Sequence, residues 1–305
     1  MTKLEPMKAV LTNDRFSDPD WIFETKLDGI RCLATRSGSD VVLTSRTGRD
    51  MSGDYPEVAK ALARQPEDDF VVDGEIVALE NGITSFSRLQ RRGREDVAVY
   101  LYLFDILRLA GEDTTDLPLR RRKALLRRSL DFGGPIRYVA HRNREGEAIF
   151  REACRKGLEG IIAKRADATY VHGRSRDWLK FKCSHQQELV IGGFTAPRGS
   201  REEFGALLVG YREDGRLRYA GKVGTGFDRG TLKDLGKRMR AIERESPPFV
   251  DVHPIPRSAR WVEPELVAQI GFTEWTRDGR LRHPRYLGLR DDKRPDEVVK
   301  EVASR

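Results

Sequence analysis

The sequence predicts an α+β protein of two domains: antiparallel sheets with helices in the first, and a small β-barrel of the OB type in the second. Three observations predict it. The chain has 305 residues, enough for two cores when domains commonly run to about 100 to 200 residues. As far as residue 182, β-rich runs alternate with amphipathic helical stretches. From Glu188 onward the texture changes to closely spaced short strands with one helix among them. The boundary falls near residues 184–187, giving domains 1–187 and 188–305.

Taken in order, residues 21–24, 30–36 and 41–45 read as strands, the last pair joined by the turn-like Ser37-Gly38-Ser39-Asp40. Lys26 sits at the end of the first strand, beside the turn dipeptide Asp28-Gly29. A loop carrying Ser45-Arg46-Thr47-Gly48-Arg49 leads to a helix over 55–64. The strand 70–72 runs into Asp73-Gly74-Glu75-Ile76-Val77. Residues 86–92 look helical and basic, and 97–106 are strongly β with Phe104-Asp105 near their end. A helix over 119–130 crowds Arg120, Arg121, Arg122, Lys123, Arg127 and Arg128 onto a polar surface, which usually means a solvated face. Ile149, Phe150, Ala153 and Cys154 keep a helical stripe over 146–157, with Gly157 suited to the C-cap. A strand follows with Glu159-Gly160-Ile161-Ile162-Ala163-Lys164. In the alternating strand 178–182, Lys180 and Lys182 share a face opposite Leu179 and Phe181. Beyond the boundary, strands are predicted over 189–194, 206–212, 217–222, 267–275 and 281–287, with a helix over 231–245.

Composition narrows the function. Charged residues make up 34% of the chain and the net charge is +8, against a usual charged share of about a quarter. That excess suits a polyanionic partner or a strongly hydrated surface. Cys32, Cys154 and Cys183 are too few and too scattered for a disulfide framework, which points to a reduced, cytoplasmic setting, and no Cys/His group has zinc-ligand spacing. The N-terminus lacks an apolar signal core, and no stretch reaches the ~18 apolar residues of a membrane span.

Singly, the chemistry-bearing residues have plain readings. Lys26 in a Lys-x-Asp-Gly string can be a surface lysine at a hairpin turn. Phe104 on a strand is more often core than a base platform. Two lysines on one face, Lys180 and Lys182, need an anionic partner or open water. Glu75 and Glu159 are placed as acceptors at strand ends, and acidic groups near a polyphosphate are either metal ligands or hydroxyl acceptors.

Their order along the chain says more. Lys26-Leu27-Asp28-Gly29-Ile30-Arg31, Ser45-Arg46-Thr47-Gly48, Asp73-Gly74-Glu75, Phe104-Asp105, Glu159 to Lys164, Lys180-Phe181-Lys182, and Arg282-His283-Pro284 leading to Arg290-Asp291-Asp292-Lys293 follow one another as in a known family. The chain resembles the ATP-dependent DNA ligases of the covalent nucleotidyltransferase superfamily, most closely the ligase module of bacterial end-joining ligase D. The resemblance spans nearly the whole chain. It implies an N-terminal nucleotidyltransferase domain, ATP-grasp-like, followed by an OB-fold domain.

It also implies roles. Lys26 attacks the α-phosphate of ATP, with Arg31, Lys180 and Lys182 binding the phosphates. Glu24 and Thr25 lie at the adenine, Glu24 reading its edge, while Phe104 stacks on the base and Glu75 holds the ribose hydroxyl. Glu159 binds Mg²⁺ or Mn²⁺, with Glu75 and Asp73 as further candidates. Arg46 receives the 5′-phosphate of the nick, for which a planar guanidinium is well shaped. Arg290, Asp292 and Lys293 close onto the pyrophosphate. A free lysine has a pKa near 10.4, so the nucleophile is expected to be kept neutral by burial and by neighbouring cations. The partners implied are nicked or broken double-stranded DNA and a Ku-like end-joining protein, the enzyme being a nucleoid-associated monomer with no separate N-terminal DNA-binding domain. The rivals are an RNA ligase or GTP-using capping enzyme and, in another class, a non-catalytic OB-fold DNA-binding protein that has no need of Lys26.

Overall fold

The structure is a computed structural model that describes residues 5–183, 185–197 and 202–301. The chain divides into two compact units, one ending at Cys183 and the other spanning Ser184–Glu301. In the first, the elements run β1 (Lys8–Leu11), β2 (Trp21–Thr25), β3 (Ile30–Ser37), β4 (Asp40–Ser45), α1 (Pro56–Leu62), β5 (Asp69–Glu80), β6 (Ile83–Thr84), α2 (Phe86–Gln90), β7 (Val99–Leu109), β8 (Glu112–Asp113), α3 (Leu119–Ser129), β9 (Ile136–Tyr138), β10 (His141–Asn143), α4 (Gly146–Arg155), β11 (Gly160–Arg165) and β12 (Arg174–Lys182).

These strands form two sheets. One has the order β1-β12-β11-β2-β10; the other has β4-β3-β5-β7-β8, with β6 added on β5 and β9 parallel to β7. Each sheet buries an outer face under helices. Trp21, Phe23, Ile161 and Phe181 pack on Ile149 and Ala153 of α4, while Ile30, Phe70, Ile76 and Leu101 share a core with Val58 of α1, Phe86 of α2 and Leu126 of α3. A third cluster joins Trp178 of the first sheet to Leu33, Val71, Phe104 and Leu107 of the second. The residues with the richest chemistry gather around that cluster.

Several sequence expectations change here. β5 is one unbroken strand, so Glu75 lies inside it rather than at an end. Asp73-Gly74 is no break, because a Cβ at Gly74 would stand 2.6 Å from the Tyr102 carbonyl, and glycine lets the β5–β7 backbones close there. Phe104 is likewise inside β7. α3 does not present all its basic residues to water: Arg122 and Lys123 are 0% and 1% exposed. The spacing explains it, since Leu119, Arg122, Lys123 and Leu126 occupy one face of a helix.

Cys154 and Cys183 are bonded to each other, with Cα atoms 5.1 Å apart and a sequence separation of 29. This overturns the expectation of three scattered thiols. The last turn of α4 runs beside the end of β12, a proximity that sequence spacing does not encode. Gly157 does end that helix as expected, at φ +74° with its N–H donating to the Cys154 carbonyl at 3.1 Å.

The second unit runs β13 (His185–Thr195), β14 (Leu207–Glu213), β15 (Arg216–Val223), α5 (Arg229–Ala241), β16 (Glu243–Arg244), β17 (Ala259–Phe272), β18 (Glu274–Trp275), β19 (Leu281–Arg282) and β20 (Arg285–Leu289). Its main sheet has the order β15-β14-β13-β17-β16, with β20 added on β17. The expected helix over 231–245 overshoots, because Glu243 and Arg244 leave it to pair with Val262 and Trp261. β17 begins earlier than expected. It passes through Pro264, where its pairing with β13 jumps from Leu266 to Trp261, as suits a residue with no N–H to give. No helix among the described residues is long and apolar enough to cross a membrane.

Candidate active site

Lys26 follows β2 directly, and its N–H donates to the Gly160 carbonyl at 3.0 Å. That bond continues the β2–β11 ladder and sets Lys26 beside Glu159. Gly160 is required there: at φ +150° a Cβ would lie 1.9 Å from the Phe181 carbonyl, which no side-chain-bearing residue could accept. The Lys26 Nζ donates to Glu159 Oε2 at 2.5 Å, with side-chain exposures of 20% and 6%. Burial alone lowers the lysine pKa, but the Glu159 carboxylate, with Glu75 and Asp28 behind it, raises it above the ordinary value. That direction runs against the expectation of a neutral lysine, because the Glu159 carboxylate favours the protonated form.

The two sheets contribute different chemistry. Glu159, Lys180 and Lys182 join Lys26 on the first, with Lys182 paired opposite Gly160 and Lys180 opposite Ile162. Arg31, Glu75 and Phe104 come from the second, Arg31 lying opposite Glu75 and Glu75 opposite Tyr102. Thr25 is exposed at the end of β2, opposite Ile161. Arg46 is half-buried in the loop after β4, which turns tightly through a Gly48 N–H to Ser45 carbonyl bond of 2.9 Å.

Arg31 grips Asp73 with two bonds, Nε to Oδ1 at 2.5 Å and a terminal nitrogen to Oδ2 at 2.6 Å. The Tyr170 hydroxyl adds a third at 2.6 Å. Asp73 is fully buried, with both oxygens engaged by Arg31 and Tyr170. Arg31 also lies 4.6 Å from the Phe104 ring centre. Phe104 is only 7% exposed and meets Trp178 edge-on.

Glu24 departs furthest from its sequence-stated role as a reader of the base edge. It is 2% exposed, and its two oxygens are taken by Lys123 and by Lys164, the latter at 2.6 Å. Burial opposes ionisation, yet the two ammonium groups hold its carboxyl below the usual range. Lys164 Nζ also lies 4.2 Å from the ring centre of Phe104 and 4.1 Å from that of Trp178. Burial drives its pKa down to about 8, aided by Lys123 and opposed by Glu24. Lys123, Lys164, Tyr170 and Trp178 received no role from the sequence. Only Lys164, closing the Glu159 segment, carried a signal that could have found it.

Among the described residues no group of three or more His, Cys, Asp or Glu side chains is arranged to hold a metal ion. Mg²⁺ needs no such cage, because it takes one or two carboxylates and completes its shell with water and substrate phosphates. Glu159, facing Lys26 and strand-adjacent to Lys182, fits that demand.

In the second unit, Arg290 forms a two-bond pair with Asp292, both contacts at 2.8 Å, with exposures of 7% and 2%. Lys293 reaches Glu188 at 2.9 Å. Arg282 pairs with Glu274 at the surface, at 2.5 Å. The three terminal-element residues are thus assembled within their own unit.

The family model described as ATP dependent DNA ligase domain matches residues 5–182, and that described as ATP dependent DNA ligase C terminal region matches residues 200–293. The multifunctional non-homologous end joining protein LigD of Pseudomonas aeruginosa is 38% identical over 293 residues, covering 92% of this chain and 35% of that protein. The protein of the same description from Mycobacterium bovis is 40% identical over 289 residues, covering 92% and 37%. The chain therefore spans little more than a third of these relatives. Among solved structures, mycobacterial DNA ligase D complexed with ATP and MES superposes with a TM-score of 0.72 at 35% identity, covering 98% of both chains. The ligase domain of M. tuberculosis LigD gives 0.53 at 36% identity with the same coverage.

Proposed function

The chain belongs to the ATP-dependent DNA ligases, and from that membership we propose that it seals 5′-phosphate/3′-hydroxyl nicks through an adenylate on Lys26 and then a DNA-adenylate. The observation that carries this reading is the Lys26–Glu159 ion pair at 2.5 Å, on a strand end pinned by Gly160. That pair supports a nucleophile and a metal-binding carboxylate acting together, the nucleophile being released when something competes for Glu159.

Attack by the neutral Nζ on the α-phosphorus of ATP forms the N–P bond and breaks the bond to the pyrophosphate oxygen. The Nζ proton must leave first, passing to bulk water once Glu159 no longer holds it. Lys180 and Lys182, one strand beyond Glu159, supply positive charge where it accumulates on the phosphate oxygens. A divalent cation at Glu159 would neutralise phosphate charge and draw the carboxylate away from Lys26. Phe104 offers its ring to adenine, and Glu75, inside β5, accepts from the ribose hydroxyl. Arg290, Asp292 and Lys293 serve the pyrophosphate-releasing step, Arg290 and Lys293 bringing cationic donors to the phosphates and Asp292 orienting Arg290. The AMP passes from Lys26 to a DNA 5′-phosphate received by Arg46, and the 3′-hydroxyl oxygen then displaces AMP to join the strands.

The end-joining names of the relatives support a place in bacterial break repair beside a Ku-like partner; a deletion strain that repairs blunt breaks at the wild-type frequency overturns that placement. The chemistry is tested by Lys26→Ala. It is expected to abolish both label transfer from α-labelled ATP to the protein and nick sealing, and sealing at the wild-type rate sinks the proposal.

A further inference from the structure

α3 sends a lysine into the interior at the junction of the two sheets of the first unit. Lys123 is 1% exposed, and its ammonium group has three hydrogens to place. Three acceptors meet it: the Glu24 carboxylate, the Val139 carbonyl at 3.1 Å and the Phe104 carbonyl at 3.4 Å. Glu24 lies in β2, two positions before the nucleophile. Phe104 lies in β7, and Val139 follows β9, which pairs with β7. β2 belongs to the sheet of Lys26, and β7 and β9 belong to the sheet of Phe104. One ammonium thus fastens the nucleophile strand to the platform strand.

The same carboxylate holds the platform a second way. Glu24 Oε2 binds Lys164 at 2.6 Å, and the Lys164 ammonium rests against the Phe104 ring. Phe104 is therefore located through its carbonyl by Lys123 and through its ring by Lys164, with Glu24 common to both. Lys180 and Lys182 hang from β12, which is separated from β2 by β11. The Lys123 contacts thus concern the base end of the site and not the triphosphate end.

We propose that Lys123 is a positioning residue for nucleotide binding: acting through Glu24 and the Phe104 carbonyl, it sets the separation of the nucleophile strand and the base platform, and with it the affinity for the base end of ATP. The proposal rests on the ligase reading above. Neutralising one member of a buried, hydrogen-bonded charge cluster leaves its partners under-satisfied, so the platform should shift to compensate.

The test uses the full chain, wild type and Lys123→Met, and follows the initial rate of Lys26 adenylylation against ATP concentration. Inorganic tripolyphosphate, which carries the phosphates without the base, serves as the competitor. In Lys123→Met the KM for ATP is expected to rise about tenfold or more while kcat changes less than about threefold and the tripolyphosphate inhibition constant stays within about twofold. Lys123→Gln, which keeps a donor toward Val139 and loses the charge, is expected to show the same split at smaller size. A KM and an inhibition constant that rise together indicate general loosening of the site and overturn the proposal, as does a KM that does not move. A wild-type chain that forms no pyrophosphate-reversible adenylate on Lys26 overturns the ligase reading itself, an outcome separable from the failure of Lys123 alone.

Discussion

The two units bury charge differently. In the first, Glu24, Lys123 and Lys164 lie together in the interior, Asp105 and Arg122 form a fully buried pair at 2.8 Å, and Asp73 is enclosed by Arg31 and Tyr170. In the second, the core of Leu189, Phe204, Leu208, Val262 and Ile270 is apolar. Among the described residues its buried charges are Arg290 and Asp292 alone. Removing ions from water costs free energy that pairing returns only in part, so buried pairs are weak evidence for stability. Where one unit carries several, they are better read as devices that fix positions. Those of the first unit include Arg31, Lys123 and Lys164, which touch the ring or the carbonyl of Phe104; that of the second unit lies just after β20.

Breaking the Arg122–Asp105 pair should give the largest stability effect. Arg122→Met leaves Asp105 buried without its cation, and about 3–5 kcal/mol of stability in the first unit should be lost, measured by urea unfolding. Arg282→Met, at an exposed pair of the second unit, is expected to leave the unfolding midpoint unchanged; equal losses in the two variants remove the contrast. A smaller effect is expected from the disulfide. Cys154→Ser opens a cross-link over 29 positions, a loop length worth about 3.6 kcal/mol as an upper figure in the chain-entropy account. The loss should disappear when wild type and variant are compared under reduction, and a difference that persists under reduction refutes the cross-link as its cause.

Much of this contrast was legible in the sequence where local pattern carries it. The strands and the Gly157 cap follow from periodicity and turn chemistry, because each depends on a few adjacent residues, whereas the grouping of Lys26, Glu159, Lys180 and Lys182 came from the resemblance carried by the order of the motifs. The inward turn of Arg122 and Lys123 was partly legible, in the spacing of Leu119 and Leu126, but a run of arginines and lysines reads as a solvated face until the carboxylates that meet it are known. Those carboxylates, Glu24 and Asp105, are 99 and 17 positions away from their partners. The enclosure of Asp73, the pairing of Cys154 with Cys183 and the raised pKa of Lys26 likewise depend on long-range neighbours. Sequence suggested what these groups could do chemically, and the fold decided what each was near.

The pH dependence of the two units sharpens the comparison further. Lys164 has a folded pKa of about 8 against 10.5 when unperturbed. The folded value is the lower, so between those pH values the unfolded chain binds more protons and stability rises with pH. Below pH 8 the folded state carries the whole cost of burying the Lys164 charge, with Lys123 nearby adding to it. Lys164→Met leaves Glu24 paired with Lys123 and is expected to stabilise the first unit at pH 7 by about 1–3 kcal/mol. The gain should shrink to nothing as pH approaches 10.5, while adenylylation falls because Phe104 loses the group against its ring. Asp292 gives a slope of the same sign, stability rising with pH, but in the acid range. Burial would raise its carboxyl, yet Arg290 and Lys293 hold it below its ordinary value of 3.8. Its contribution to the second unit is therefore present above that value and is lost as pH falls through the folded one. Urea unfolding of wild type and Lys164→Met at pH 7 and pH 10 checks the first unit; a variant less stable than wild type at pH 7 would show that Lys164 supports the fold outright rather than straining it to hold Phe104 in place.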